Sequence, residues 1–217
     1  MTGRPGLIVW GAGGHATVVA DAVRLAGEYE ILGFLDDLRP ERRGEPFCGA
    51  TILGGSEQLA HLREGGARHL ILGFGSIRPR IEREEEARRA GFSFARVVHP
   101  RATVAAGVEI GPGTLVAAGA VLSAGARLGE HVMINTSASV DHGSRLADHV
   151  HVSAGGRVGA EVEIARGVLV GMGATVLSRV RIGAGAVIGA GAVVLEDVPP
   201  AMVARGVPAR IFTPEGA

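Results

Sequence analysis

Residues 102–197 carry an aliphatic side chain at every sixth position. The stretch divides without insertion into sixteen hexapeptides, from ATVAAG to AVVLED, and the third residue of each is Val, Leu or Ile. These third residues are Val104, Ile110, Val116, Leu122, Leu128, Ile134, Val140, Leu146, Val152, Val158, Ile164, Val170, Val176, Ile182, Ile188 and Val194. Neither an α-helix nor an ordinary alternating strand places one aliphatic residue in every six with small residues between. The pattern therefore predicts a parallel β-helix, in which three short strands close a triangular coil of about 18 residues. A Gly/Ala-rich linker, the alternative, would not keep this phase through sixteen repeats.

Residues 1–98 follow a different pattern, in which short apolar runs alternate with longer amphipathic stretches. The apolar runs are LIVW at 7–10, ILGFLDD at 31–37 and HLILGFG at 69–75, and the predicted helices follow the glycine turn at 11–14 and cover 56–64 and 79–90. This alternation predicts a small parallel sheet with helices on its faces, a Rossmann-like α/β domain. Phe92 to Val98 is expected to close the sheet, and the charged helix at 79–90 is interpreted as a solvated face rather than a binding site. The predicted domains are 1–98 and 99–217, with HPRA at 99–102 as the hinge.

The composition excludes several classes of partner. Of the 217 residues 47% are hydrophobic, which predicts a compact protein. The 22 basic residues balance the 22 acidic ones, so we expect no basic surface for nucleic acid or anionic membranes. The apolar runs are shorter than a membrane span and are broken by glycine. The single cysteine, Cys48, allows no internal disulfide and has no paired histidine, and the first ten residues lack the features of a signal peptide. We therefore expect a cytoplasmic protein.

The glycine loop GAGGHA at 11–16 follows the first predicted strand and opens the first predicted helix. Backbone N–H groups of Gly13 and Gly14 and the helix N-terminus can hold a phosphate, and the ring N–H of His15 can meet a phosphate or sugar oxygen. Asp36, at the end of the second strand, can accept from a ribose or sugar hydroxyl. A nicotinamide cofactor and a nucleotide sugar fit this arrangement equally. About 95 residues are too few for both halves of a dinucleotide domain, so a nucleotide with one pyrophosphate is favoured. A glycine turn that only packs helix on strand is the structural alternative.

Histidines are concentrated in VDHGSRLADHVHV, residues 140–152. A coil of about 18 residues stacks His142 under Ala160, Asn135 under Ser153 and Asp141 under Gly159, and it places His151 half a coil from His142. His142 is a candidate general base, and a threefold assembly of prisms could bring His142 and His151 together across an interface. A metal held by His142, His149 and His151 is disfavoured, because this spacing does not gather three imidazoles around one point. His131 and His149 are expected to be ordinary polar residues at hexapeptide corners.

Both ends of the chain resemble one known family. The hexapeptide array with the ending GAGAVVLEDVPPAMVARGVPARIF resembles the left-handed β-helix acyltransferases, which use acetyl-CoA or related thioesters. The beginning GAGGHATVVAD, the FLDD stretch and INTSASVDH narrow the resemblance to the sialic-acid O-acetyltransferase-like branch, whose members N-acetylate UDP-linked 4-amino sugars. The resemblance covers essentially the whole chain. It implies left-handed coiling, acetyl-CoA as co-substrate, a nucleotide-sugar acceptor and a homotrimer. From the histidine spacing, no metal is expected.

The resemblance also assigns roles to individual residues. His142 matches the catalytic base, and the residues that match the acceptor site are Gly13, Gly14, His15, Asp36, Asp37, Gly73, Asn135 and Ser153. The residues that match the CoA site are His151, Ala160, Met172 and Ala190. One position departs from the family pattern: Gly143 stands where an acid usually follows the catalytic histidine, while Asp141 matches the acid that often precedes it. The predicted function is N-acetylation of a nucleotide-linked amino sugar. The alternatives are O-acetylation on the same fold, or nucleotide-sugar binding without catalysis.

Overall fold

The computed structural model describes residues 3–214. By its contacts the chain divides into two compact units, Met1–Pro100 and Arg101–Ala217. Among the described residues, no helix is long and apolar enough to cross a membrane.

The first unit is a parallel sheet with helices, as the alternating pattern predicts. Its strands are β1 (Gly6–Trp10), β2 (Glu30–Leu35), β3 (Pro46–Phe47), β4 (Ala50–Gly54), β5 (His69–Leu72), β6 (Ser93–Phe94) and β7 (Val97–Val98). Its α-helices are α1 (Gly14–Ala26), α2 (Leu59–Glu64) and α3 (Ile77–Arg89), with 3₁₀ turns at Pro40–Arg42 and Ser56–Gln58. The sheet order is β3-β4-β2-β1-β5-β6, and only β3 runs antiparallel to its neighbour. Of the predicted closing segment 92–98, only β6 joins this sheet.

Part of the core of this unit forms where the central strand meets the first helix. Four consecutive residues of β1, Leu7 to Trp10, are fully buried, which is typical of a strand covered on both faces. On α1 the buried residues Ala16, Val19, Ala20 and Val23 follow helical spacing and form one apolar stripe. The helix ends at Gly27, which adopts the left-handed conformation that favours glycine after a last helical turn.

The second unit is a left-handed parallel β-helix. Each hexapeptide contributes one strand of two residues, its second and third positions. These are β8 (Thr103–Val104), β9 (Glu109–Ile110), β10 (Leu115–Val116), β11 (Val121–Leu122), β12 (Arg127–Leu128), β13 (Met133–Ile134), β14 (Ser139–Val140), β15 (Arg145–Leu146), β16 (His151–Val152), β17 (Arg157–Val158), β18 (Glu163–Ile164), β19 (Leu169–Val170), β20 (Thr175–Val176), β21 (Arg181–Ile182), β22 (Val187–Ile188) and β23 (Val193–Val194). Each strand from β8 to β20 pairs in parallel with the strand three further along, as in Val121 with Ser139, so one coil has the predicted length.

The prism has three faces. Face 1 carries β10, β13, β16, β19 and β22; face 2 carries β8, β11, β14, β17, β20 and β23; face 3 carries β9, β12, β15, β18 and β21. The end of face 1 is extended by β24 (Val203–Arg205) and β25 (Arg210–Phe212), an antiparallel pair. Corners between the faces use left-handed backbone, supplied mostly by glycine.

The interior of the prism is lined by the predicted aliphatic residues. Fourteen of the sixteen third positions are buried. The other two differ, since Val104 is exposed and Ile110 is half-buried. Both belong to the first coil, where the stack of coils begins and side chains are covered less completely.

Candidate active site

A cavity of about 350 Å³ lies in the first unit, at the carboxyl ends of β1, β2 and β5. It is lined by Gly11, Ala12, Gly13, His15, Asp36, Asp37, Leu38, Arg39, Gly73, Phe74, Gly75, Ser76, Pro79 and Arg83. In open α/β sheets, ligands bind in this crevice at the carboxyl ends of the strands. Five of the predicted acceptor-site residues line it together, and Gly14 begins the adjacent helix α1.

The glycines around the cavity fall into two groups. A Cβ on Gly11 would lie 2.9 Å from the carbonyl oxygen of Gly73, and a Cβ on Gly73 would lie 3.1 Å from the Cβ of Ala16, so these two glycines permit close packing. A Cβ on Gly13 or Gly14 would meet no protein atom within 4 Å. Packing therefore does not require glycine at 13 and 14, and the space above them is open to a ligand.

Asp36 is buried and is held by arginines. Its side chain accepts hydrogen bonds from Arg39 Nε at 3.2 Å, from Arg42 Nη1 at 3.0 Å and from the backbone N–H of Leu38 at 3.2 Å. Both arginines also donate to the carbonyl oxygen of Ala12 in the glycine loop, each at 3.0 Å. Through these two arginines, Asp36 connects the segment after β2 to the glycine loop.

Asp37 makes a second set of contacts on the same side of the cavity. Its carboxylate accepts from the indole Nε1 of Trp10 at 2.8 Å and from the backbone N–H of Ser56 at 2.6 Å, and it pairs with Arg83 Nε at 3.2 Å. The guanidinium of Arg83 also lies 5.4 Å above the Trp10 ring, a cation–π arrangement. The interpretation of the helix at 79–90 as only a solvated face is wrong at this position, because Arg83 of α3 lines the cavity.

His15 lies at the start of α1 and lines the same cavity. Burial, with a smaller contribution from the positive charge of Arg80, lowers the pKa of His15 to about 4. The ring is therefore neutral at neutral pH. It can donate one hydrogen bond to a ligand but brings no positive charge.

His142 lies at the corner that follows β14, where it is exposed. Asp141 beside it accepts a hydrogen bond from the backbone N–H of His142 at 2.7 Å, and this bond is the main cause that lowers the pKa of Asp141. Gly143 has a φ of 68°, the left-handed conformation that favours glycine. One coil further, Glu161 donates its backbone N–H to the carbonyl oxygen of His142 and pairs with Arg179 at 2.9 Å.

The other predicted residues of the prism form two groups. Ala160 lies one coil above His142, as the backbone bond from Glu161 shows. Asn135, His151, Ser153, Met172 and Ala190 lie on face 1 or at the corner that follows it. Ser153 and His151 are buried, whereas Met172 and Ala190 are exposed. Within one chain, the structure therefore places His142 and the face 1 group on different sides of the prism.

His131 and His149 differ from the sequence expectation. Both occupy corner positions with positive φ, but they are 2% and 1% exposed rather than ordinary polar surface residues. Their rings are stacked in parallel, with centroids 5.2 Å apart and an interplanar angle of 6°, because the one-coil spacing places them directly above one another. His149 thus packs against His131, and the structure does not gather His142, His149 and His151 into a metal site.

Comparisons with known proteins agree with both units. The family model of the PglD N-terminal domain matches residues 6–86, and the bacterial transferase hexapeptide model (six repeats) matches residues 161–196. A histidine-to-asparagine variant of perosamine N-acetyltransferase from Caulobacter crescentus, crystallised with CoA and GDP-perosamine, is 36% identical, with a TM-score of 0.90 over 95% of this chain and 96% of that one. The acetyltransferase domain of PglB from Neisseria gonorrhoeae FA1090, in complex with acetyl coenzyme A, is also 36% identical, with a TM-score of 0.89 over 97% and 100%.

The chain belongs to the sialic-acid O-acetyltransferase-like branch of the left-handed β-helix acyltransferases. The predicted family, fold class and enzyme class are confirmed. WeeI from Acinetobacter baumannii AYE, 23% identical with a TM-score of 0.82 over 95% of this chain and 99% of that one, shares the fold. A search of the curated proteins finds no significant match to this acyltransferase.

The two arginines that line the cavity, Arg39 and Arg83, were not predicted from the sequence. Arg39 lies two residues after the FLDD stretch, and this short distance in sequence was the available signal. Arg83 could not be found from its neighbours in sequence, since its partners Asp37 and Trp10 lie in distant parts of the chain.

Proposed function

We propose that the protein is an acetyl-CoA-dependent N-acetyltransferase that acts on the amine of a nucleotide-linked amino sugar. The observation that carries this proposal is the likeness over nearly the whole chain to perosamine N-acetyltransferase crystallised with CoA and GDP-perosamine. The likeness includes both units, so it supports a nucleotide-sugar acceptor for the first as well as a thioester for the second. The cavity with its open glycine loop is the proposed site of the nucleotide.

His142 is the proposed general base. It is exposed at a prism corner, its backbone is fixed by Asp141, and an imidazole can accept a proton near neutral pH. The amine nitrogen of the acceptor attacks the thioester carbonyl carbon while His142 takes a proton from that nitrogen. Collapse of the tetrahedral intermediate breaks the C–S bond, and the CoA sulfur leaves as the thiol after it receives a proton. The products are the amide and CoA.

We also propose that the enzyme is a homotrimer built through faces 1 and 2. On face 3 every outward residue is charged and exposed, namely Glu109, Arg127, Arg145, Glu163 and Arg181. The exposed large apolar residues between 105 and 200 lie instead on faces 1 and 2 or at the corners that follow them, namely Val121, Met172, Leu177, Val187 and Leu195. Because exposed apolar side chains favour association more than a charged surface does, we expect the chains to meet through faces 1 and 2. His151, Met172 and Ala190 on one chain would then form the CoA site with His142 of the next.

The test is release of free thiol from acetyl-CoA in the presence of candidate acceptors. We expect release with GDP-perosamine or with a UDP-linked 4-amino sugar, and no release with the matching sugar that has a hydroxyl in place of the amine. Release with the hydroxyl sugar would identify an O-acetyltransferase. Binding of the nucleotide sugars without release under any condition would indicate a protein that binds these sugars but does not acetylate them.

A further inference from the structure

We propose that Arg39 and Arg83 bind the phosphate groups of the nucleotide, and that Asp36 and Asp37 position these arginines rather than bind sugar hydroxyls. This inference rests on the proposed function and specifies how its acceptor is recognised. It follows from how the four side chains around the cavity use their polar atoms.

The two acids are already occupied by protein donors. Asp36 is only 4% exposed and accepts from Arg39, Arg42 and the backbone of Leu38. Asp37 accepts from Trp10 and Ser56 and pairs with Arg83. Each carboxylate thus has three protein donors, and the two side chains are only 5% and 16% exposed, so little of either is accessible to a sugar hydroxyl.

The arginines are held on one edge and open on the other. Arg39 uses Nε and Nη2 for Asp36 and Ala12, and its Nη1 makes no hydrogen bond within residues 3–214. Arg83 uses Nε for Asp37 and Nη1 for Glu86, and its Nη2 makes none within the same range. The two side chains are 47% and 34% exposed, and both line the cavity. A guanidinium fixed on one edge loses little further freedom when its other edge binds an oxyanion.

The other groups of the cavity fit an anionic ligand without replacing this pair. His15 is neutral at neutral pH because burial lowers its pKa to about 4. Arg42 is not among the residues that line the cavity; it is only 18% exposed and is paired with Asp36 and Glu45. Helix α1 begins beside the cavity at Gly14, with no side-chain cap and no acidic residue in its first turn. The backbone N–H groups there add to the arginines as phosphate donors.

The experiment measures binding of UDP, GDP, uridine, guanosine and CoA to the full chain by calorimetry. Variants Arg39→Gln and Arg83→Gln are compared with Arg78→Gln, which removes the same charge from the exposed side of α3. We expect at least about tenfold weaker binding of the preferred diphosphate in each of the first two variants, as for loss of a charge-assisted hydrogen bond. Arg78→Gln is expected to bind like wild type. CoA binding and the weaker nucleoside binding are expected to be unchanged in all three.

Three results would overturn the proposal in distinguishable ways. If wild type acetylates a nucleotide-linked amino sugar and both arginine variants bind the diphosphate as wild type does, this inference fails and the proposed function stands. If all three Arg→Gln variants weaken binding equally, the loss comes from the overall positive charge of the surface rather than from contact with the phosphates. If wild type binds neither diphosphate and acetylates no nucleotide sugar, both proposals fail.

The positioning role of Asp36 has its own readout. Asp36→Asn keeps an oxygen for the backbone of Leu38 but removes the charge that pairs with Arg39 and Arg42. We expect the KM for the nucleotide sugar to rise, with kcat and the KM for acetyl-CoA unchanged. An equal rise in both KM values would mean that the variant disturbs the fold rather than the arginines.

Discussion

The carboxylate Oδ1 of Asp141 accepts a hydrogen bond from the backbone N–H of His142 at 2.7 Å. The carboxylate of Asp141 therefore holds the backbone at the corner that carries His142. Because Gly143 follows in a left-handed conformation, this bond and the inter-coil bond from Glu161 define the corner on either side of the imidazole. Asp141 is thus a positioning residue for His142 under the proposed function.

Asp141→Ala is expected to lower kcat about fivefold, the equivalent of one ordinary hydrogen bond of about 1 kcal/mol. The KM for acetyl-CoA should not change. Asp141→Asn is the matched control, since its amide oxygen can accept the same backbone hydrogen bond and should retain most of the activity. Equal loss in both variants would mean that the charge of Asp141, rather than its hydrogen bond, matters.

His142→Ala is expected to lower turnover by at least about 100-fold, the usual effect of removing a positioned base. The residue is exposed, so the melting temperature should stay within a few degrees of wild type. Thiol release at pH 7 with saturating substrates measures the effect. Near-normal turnover would exclude His142 as the base.

Gly13→Val is expected to raise the KM for the nucleotide sugar at least about tenfold, because the new side chain occupies the open space where a phosphate approaches the loop. The KM for acetyl-CoA and the melting temperature should not change. Gly73→Val is the contrasting variant: its Cβ would lie 3.1 Å from the Cβ of Ala16, so stability should fall by about 1 to 3 kcal/mol through overpacking. Equal rises in both KM values for Gly13→Val would indicate a structural loop.

His15 should make stability depend on pH. Its pKa is about 4 in the folded protein and 6.5 as the ordinary value, so the unfolded chain binds more protons between these values. Stability is therefore lost as the pH falls from 6.5 towards 4, by about 2 kcal/mol between pH 7 and pH 5. Denaturant unfolding at the two pH values should show this loss in wild type and a smaller one in His15→Asn. The same pH dependence in both proteins would mean that other groups cause it.

The prism was predictable because its signal is local. One aliphatic residue in each hexapeptide fixes the strand, and small or glycine residues at the corners fix the turns, so strand positions and coil length follow from the sequence. The stacked pair His131 and His149 shows where this reasoning stops. The one-coil spacing was visible, but their burial depends on packing around the corner that no single repeat reveals.

The site was less predictable than the fold because its polar contacts are not local. The glycine loop and the two acids stood out in sequence, and the structure brings them to one cavity. The partners of the acids did not stand out, since Trp10, Ser56 and Arg83 come from three separate elements. The sequence does not show which acids already accept hydrogen bonds from protein donors. These contacts change the expected role of Asp36 and Asp37.

Mixing two inactive variants tests whether the site is formed between subunits. His142 stands at the corner after face 2, whereas Met172 and Ala190 lie at the corner after face 1, and both are exposed. Ala190→Trp therefore changes the proposed CoA surface without touching the corner of His142, which Ala160→Trp would not achieve because residue 160 lies one coil above His142. His142→Ala and Ala190→Trp should each be nearly inactive alone. After they are dissociated and reassembled together, some interfaces combine an intact His142 with an intact CoA surface from the adjacent chain, so part of the activity should return. Mixed oligomers that are shown by mass to form, yet stay as inactive as the parents, would mean that each chain carries its own complete site.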